Sequence, residues 1–374
     1  MHNTMENETW FLVAKSKQID SPALLIFPER IRHNIEQMVQ IAGDPKRLRP
    51  HVKTHKMTEI IRMQQKAGID KFKCATLAEA EMLARCKAGD VLVAYPLTGP
   101  GPDRLATLQK KYPGTRFSSL VDHPESLVAL ETSAKEAGRP IGVFLDLNVG
   151  MNRTGIAPDK EAADLYARMI SSPLLDCRGL HIYDGHLRDP DPLKRARDCD
   201  RAFESAQKLA DRLKDSGFVV PGMVAGGSPT FPFHARREGV ELSPGTTLLW
   251  DARYGQQFPE MPFLPAAALL CRVISKPAPG TICLDLGHKA VAAEMDFPRV
   301  SLPQLPDSIQ VGQSEEHLVL QYDKADTLPI GTECYAIPMH ICPTVIKYPE
   351  ALVVTGGEVT GRWQIAARDY HLAD

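Results

Sequence analysis

Between residues 49 and 248 the chain alternates short apolar, β-branched runs with longer amphipathic stretches, and this rhythm constrains the fold more than any other feature. Strand-like runs occupy 49–54, 71–76, 91–96, 116–122, 141–148, 178–185, 223–228 and 240–248. Helical patterns fill the gaps at 58–66, 77–87, 103–111, 124–137, 160–170 and 192–214. In the last of these, Ala202, Phe203, Ala206, Leu209 and Leu213 recur every three or four positions, as one helix face requires. A parallel strand returns to its neighbour through a crossover, usually a helix. Strands spaced by helices in this way predict a parallel (β/α)8 barrel of the TIM type. After Trp250 the helices give way to proline-rich stretches (259–265 and 298–306) and short apolar runs at 318–322 and 351–355, which predict a C-terminal β-rich domain. The expected division is a barrel over 22–250, with 1–21 and 251–374 forming the β-rich domain. The segment 22–27, ahead of the first helix, is a candidate to pair with that domain rather than with the barrel.

Length and charge are consistent with a two-domain globular protein. The chain has 374 residues, and its 44 Lys and Arg nearly balance its 46 Asp and Glu without clustering of either sign. That pattern argues against a nucleic-acid partner or a membrane surface. The first twenty residues include Glu6, Glu8, Lys15 and Lys17 with few apolar residues, unlike a signal peptide, so a cytoplasmic location is expected. The eight cysteines stand apart with no CxxC pair and are read mostly as buried thiols.

In a barrel of this kind chemistry gathers at the C-terminal ends of the strands. That rule selects Lys53, Arg153, Tyr183 with His186, and the loop Gly226, Gly227, Ser228. The run Arg49-Pro50-His51-Val52-Lys53-Thr54-His55-Lys56 places five potential cations among eight residues, which is unusual for a strand buried on both faces. Its plain reading is a solvated strand end. Its chemical reading is a Schiff-base lysine, because a partly desolvated, cation-rich setting favours the neutral amine. In Ala225-Gly226-Gly227-Ser228-Pro229-Thr230 the glycines allow close approach, and successive N–H groups with a hydroxyl form an anion nest, or simply a turn. In Leu180-His181-Ile182-Tyr183-Asp184-Gly185-His186, strand alternation puts His181 and Tyr183 on one face, and His186 is a candidate acid–base group. Arg153 is otherwise an ordinary surface arginine. In Pro338-Met339-His340-Ile341-Cys342-Pro343, an extended strand would present His340 and Cys342 to one ion, or Cys342 is an ordinary buried thiol.

These motifs resemble, in the same order, those of the D-threonine aldolase and D-serine dehydratase family, relatives of alanine racemase. The run RPHVKTHK resembles the family's cofactor strand. Ser21-Pro22-Ala23-Leu24-Leu25, Cys74-Ala75-Thr76 with Glu79-Ala80-Glu81, and Asn148-Val149-Gly150-Met151-Asn152-Arg153-Thr154-Gly155 resemble its opening, second strand and arginine-bearing strand end. Asp285-Leu286-Gly287-His288-Lys289-Ala290 and Ser314-Glu315-Glu316-His317 resemble stretches of its β domain.

The resemblance implies a pyridoxal 5'-phosphate enzyme of fold type III. Lys53, beside His51, would carry the cofactor, and Arg153 and Tyr183 would face its ring. Gly226, Gly227, Ser228 and Thr230 would cup its phosphate, with Gly245 and Thr246 as a second wall, where the family often has a tyrosine. His340 and Cys342 fall at the family's metal ligands. The aldolases carry His-x-Asp there and the eukaryotic-type dehydratases His-x-Cys, so Cys342 points to dehydration and to zinc rather than manganese or magnesium. The family aldolases carry a histidine where this chain has Asp189. The implied reaction is a metal-assisted lyase reaction on a β-hydroxy-D-amino acid, with dehydration ahead of retro-aldol cleavage. An amino-acid racemase and a non-catalytic pyridoxal-phosphate-binding protein are the competing readings. A homodimer is expected by analogy.

Overall fold

The strand-forming runs assemble into one parallel sheet in sequence order: Lys71–Cys74, Asp90–Pro96, Arg116–Val121, Ile141–Leu147, Leu175–Ile182, Met223–Ala225 and Val240–Leu242. The computed structural model describes residues 9–370. The sheet closes on itself through residues 48–51. Leu48 bridges to Leu242 and His51 to Lys73, with Arg49 N donating to Leu242 O at 2.8 Å and Lys73 N to Pro50 O at 2.9 Å. This eighth stave is shorter than the predicted strand 49–54. Pro50 has no N–H to give to a ladder, and Val52–Thr54 winds into a 3-10 turn, so Lys53 lies just past the closing segment.

The connecting helices include Leu77–Arg85, Gly101–Lys111, Pro124–Ala137, Lys160–Ser171 and Pro192–Asp215, close to the predicted ranges. Their starts are fixed by side-chain caps: Thr76 accepts from Glu79 N, Asp159 from Glu161 N and Asp191 from Leu193 N. On Pro192–Asp215 the buried face runs through Cys199, Phe203, Ala206, Leu209 and Leu213.

The barrel belongs to a unit made of Met38–Lys53 and Ile61–Gly245 with the described residues after Arg368. Leu92, Leu120, Phe144 and Val224 pack together as its apolar filling. Arg49, 2% exposed, is held by Asp90 and Glu241 at 2.6 Å each. Asp90 begins its strand, so this ion pair lies at the strands' starting end. Two residues beyond Phe144 on the same strand face comes Asp146, where the polar part of the interior begins.

The second unit comprises Thr54–Ile60, Thr246–Arg368 and the described part of Met1–Gln37. Its mixed sheet runs Ile309–Gln313, Leu318–Gln321, Thr281–Leu284, Ala267–Ala278, Ala23–Ile26, Glu350–Thr355 and Glu358–Gln364. Ala23–Ile26 lies antiparallel to Ala267–Ala278 and parallel to Glu350–Thr355, so this early segment does join the β sheet. Phe11, Leu25, Phe27, Leu270, Tyr335 and Val354 share one core there. One expectation fails in this unit. His340 and Cys342 do not lie on an extended strand, because the strand Glu333–Pro338 ends before them and Ile341–Val345 is a short helix with His340 at its N-cap position. Among the described residues no helix is long and apolar enough to cross a membrane, and all eight cysteines are free.

Candidate active site

Lys53, at the turn where the closing stave ends, lines a cavity of about 350 Å³. His51, Lys73, Tyr95, Arg153, His181 and Tyr183 are among its walls. The Arg153 guanidinium lies 5.0 Å from the centre of the Tyr183 ring, and the Lys73 amine 5.5 Å from it. Tyr183 fits because its neighbours lack side chains. A Cβ at Gly185 would fall 2.3 Å from its hydroxyl, and one at Gly227 would fall 3.1 Å from Cε2. The Arg153 loop is set by Asn148, whose Oδ1 accepts from Gly150 N and Asn152 N at 3.1 and 3.0 Å. His186 stands exposed on the next turn, where a Cβ at Gly150 would lie 3.0 Å from its Nε2, and it is not among the cavity's lining residues.

The polar floor of the cavity is a relay that the sequence reading did not select. Asp146 Oδ1 lies 2.7 Å from His181 Nδ1, and His181 Nε2 lies 3.5 Å from Lys73 Nζ. Thr154 Oγ1 donates to Asp146 Oδ2 at 3.0 Å. Burial lowers the Lys73 pKa to about 7, helped by the Lys53 charge and opposed by Asp146 and Asp184. Burial also lowers that of His181, against the pull of Asp146. A charged residue in the middle of a buried strand, as in Lys71-Phe72-Lys73-Cys74 or Phe144-Leu145-Asp146-Leu147, was the available signal.

The glycine loop is held from behind. Gly226 has φ +82°, and a Cβ there would meet His234 Cδ2 at 2.6 Å, so only glycine serves. Thr230 Oγ1 donates to Asp184 Oδ1 at 2.7 Å and accepts from Gly227 N at 3.2 Å. The Thr230 hydroxyl, expected to help cup an anion, is thus committed to the loop's own scaffold. Gly245 N donates to Ser228 Oγ at 3.1 Å, joining the two expected walls. Asp184, Cys199 and His234 are all buried, with ligand atoms within 4.8 Å of one another, a grouping that could suit a metal. The hydrogen bonds argue for a different use. Arg237 Nη1, which can only donate, lies 3.2 Å from His234 Nδ1, so the ring's proton is on Nε2, 2.8 Å from Asp184 Oδ2. With that proton in place Nε2 has no lone pair for an ion. The Asp184 carboxyl is held below its usual range because His234 and Thr230 outweigh the cost of burial.

The remaining cations of residues 49–56 have structural employment. Arg49 is paired as described. His55, fully buried, has its pKa pushed down to about 3 by burial and the Lys56 charge, and Lys56 Nζ donates to Ala367 O at 3.3 Å.

In the other unit, Cys342 Sγ lies 3.1 Å from Thr54 Oγ1 and 3.7 Å from Thr246 Oγ1. Cys342 acts electrostatically on His340, and Glu294 contacts His340 Nδ1. Burial alone would lower the His340 pKa, but Cys342, Glu294 and Asp251 raise it to about 9. Imidazole, thiol and carboxylate are neighbours there and are donor types suited to a borderline divalent ion. Among the described residues, their ligand atoms do not all fall within 4.8 Å of one another, as those of Asp184, Cys199 and His234 do. Glu294, 46 residues from His340, was not selected from the sequence.

Against known proteins, the family described as alanine racemase, N-terminal domain, matches residues 26–252, and a putative serine dehydratase domain matches 266–354. The chain is 28% identical over 362 residues to a D-threonine aldolase from Arthrobacter sp., covering 94% of each. It is similar to the crystal structure of D-threonine aldolase from Filomicrobium marinum, with a TM-score of 0.87 and 27% identity over 94% of this chain and 96% of that one. The structure of D-threo-3-hydroxyaspartate dehydratase from Delftia sp. HT23 gives a TM-score of 0.81 and 25% identity over 93% and 97%.

Proposed function

Because this chain belongs to the alanine racemase family, in the branch of the D-threonine aldolases and D-serine dehydratases, we propose that it is a pyridoxal-phosphate-dependent lyase of β-hydroxy-D-amino acids. The observation that carries the reading is the cation-lined cavity at Lys53, with the glycine loop packed against the edge of the same Tyr183 ring. A cation-rich cavity beside a loop closed to any Cβ suits an anionic, flat cofactor.

In this reading Lys53 would hold the cofactor and would serve as the group that moves the substrate's Cα proton. Tyr183 would support the cofactor, and Arg153, 5.0 Å from the centre of that tyrosine's ring, would supply a positive charge beside it. Gly226, Gly227, Ser228 and Gly245 would enclose the phosphate, with Thr230 and Asp184 holding the loop. Pyridoxal phosphate supplies an electron sink for charge at Cα. His340 and Cys342 would hold a divalent ion, zinc by the thiolate, with Glu294 orienting the His340 ring; that ion would supply Lewis acidity toward a hydroxyl. His340-x-Cys342 favours elimination to a 2-oxo acid and ammonia. The aldolase relatives, which align over nearly the whole chain, favour cleavage to glycine and an aldehyde as the second reading. A cytoplasmic homodimer completes the proposal.

The test is borohydride fixation of the cofactor, mapped by mass spectrometry, with product assays on D-serine and D-threonine. Fixation at Lys53 and release of keto acid or aldehyde are expected. Fixation at Lys56 or Lys289, or racemised amino acid as the sole product, would sink the proposal.

A further inference from the structure

Lys73 is the second amine of the cavity. It is 2% exposed and sits on the strand hydrogen-bonded to the stave that leads into Lys53, with Lys73 N donating to Pro50 O at 2.9 Å. Among the described residues no carboxylate lies within ion-pair distance of its amine; its side-chain neighbours are His181 Nε2 at 3.5 Å and the Tyr183 ring. A buried ammonium without a carboxylate is costly, and an apolar side chain of the same length would fill the space more cheaply.

The relay behind it sets how Lys73 faces the cavity. Asp146 already accepts from Thr154, and a carboxylate can only accept, so His181 Nδ1 carries the proton directed at Asp146. His181 Nε2 is therefore a lone pair, and Lys73 gives it one N–H. The rest of the amine, further N–H bonds when charged or a lone pair when neutral, is left for the cavity that Lys53 also lines. The charges acting on it are Lys53, Asp146, Asp184 and Arg49, and with burial dominant they bring it to about 7, where both forms are populated.

We infer that Lys73 is a catalytic acid–base residue that carries the proton of the substrate's β-oxygen, while Lys53 serves Cα. The inference rests on the pyridoxal-phosphate reading, since both lyase routes move one proton at each atom. In elimination, Lys53 takes the proton from Cα, the Cβ–O bond breaks with its electron pair going to oxygen, and the Lys73 ammonium supplies the proton with which that oxygen leaves as water. One proton passing from Lys53 to Lys73 restores both. In cleavage, neutral Lys73 takes the hydroxyl proton as the O–H pair becomes the carbonyl bond. The Cα–Cβ pair remains at Cα, which Lys53, here starting as the ammonium, then protonates. One proton passing from Lys73 to Lys53 restores both.

The experiment uses holoenzyme of the wild type, Lys73→Met and Lys73→Gln; the glutamine can keep a hydrogen bond to His181 but carries no proton. Three readouts are compared: borohydride fixation at Lys53, turnover of the β-hydroxy substrate, and exchange of the Cα proton of D-alanine in deuterated water. D-Alanine has no β-oxygen, so its exchange reports Lys53 alone. Both variants should keep fixation and exchange near wild-type levels while turnover falls about 100-fold or more. Unchanged turnover would overturn the inference. So would exchange falling as far as turnover, which would place Lys73 at Cα, or loss of fixation in the variants alone, which would make it a cofactor anchor. A wild type that shows no fixation would instead overturn the cofactor reading beneath it.

Discussion

The Thr230 hydroxyl donates to Asp184 Oδ1 at 2.7 Å across 46 residues of sequence, and the same oxygen accepts from Gly227 N at 3.2 Å. One threonine therefore ties a strand-end carboxylate to the glycine loop. Thr230→Val keeps the shape and strands Asp184 with an unmet acceptor, so it should cost about 1–3 kcal/mol of stability. Cofactor affinity should fall with it, and Thr230→Ser should recover most of both. Urea unfolding and cofactor titration of the two variants check this; a valine variant with wild-type affinity would show that the loop holds itself.

The Arg49–Asp90 pair predicts an acid-side dependence of stability. Asp90 pays for its burial through Arg49, which with Arg178 and Arg116 holds its carboxyl below the usual range. A depressed carboxyl contributes stability above its unfolded value, about pH 4, and loses it as pH falls through the lower folded value. Asp90→Asn should cost about 3 kcal/mol at neutral pH, because Arg49 stays buried with Glu241 as its remaining acidic partner. The gap between wild type and variant should narrow below about pH 4. Denaturant midpoints across pH are the measurement, and a gap that does not change with pH would refute the assignment.

Arg153 rests over the Tyr183 ring, on a loop separate from the glycine turn. Arg153→Ala should therefore lower turnover more than cofactor content. Absorbance of the purified variant and its kcat decide the point. A cofactor-free variant would make Arg153 an anchor.

Cys342→Ala should lose the ion while fixation at Lys53 persists, since the thiol and the lysine belong to different units. Zinc at about one ion per chain is expected in the wild type. Cys342→Asp should take up a harder ion, manganese or magnesium, and shift products from keto acid toward aldehyde. Metal analysis and product ratios of the three proteins test this, and an active wild type that is metal-free and indifferent to chelators would defeat it.

What the sequence determined by itself was whatever is local or periodic. The alternation of runs specified the barrel and the β unit, because a strand's period and a helix's period are written in consecutive residues. The glycine loop and the strand-end residues Lys53, Arg153 and Tyr183 were legible because barrel topology dictates where strand ends gather. The tertiary structure decided which charges meet. Lys73 and His181 are 108 residues apart, Arg49 and Glu241 192, and His234 and Asp184 50. No spacing rule joins such residues, so only the fold could show that Arg49 is neutralised at the strand starts while Lys73, among the described residues, has no carboxylate within ion-pair distance. The backbone decided the rest: Pro50 and the 3-10 turn cut the first strand short, and His340 stands at a helix N-cap position instead of extending a strand. The first case is local, since Pro50 lacks an N–H; in the second, the distant Asp251 carboxylate accepts from Ile341 N at 3.3 Å and so favours a helix start over the extended pattern.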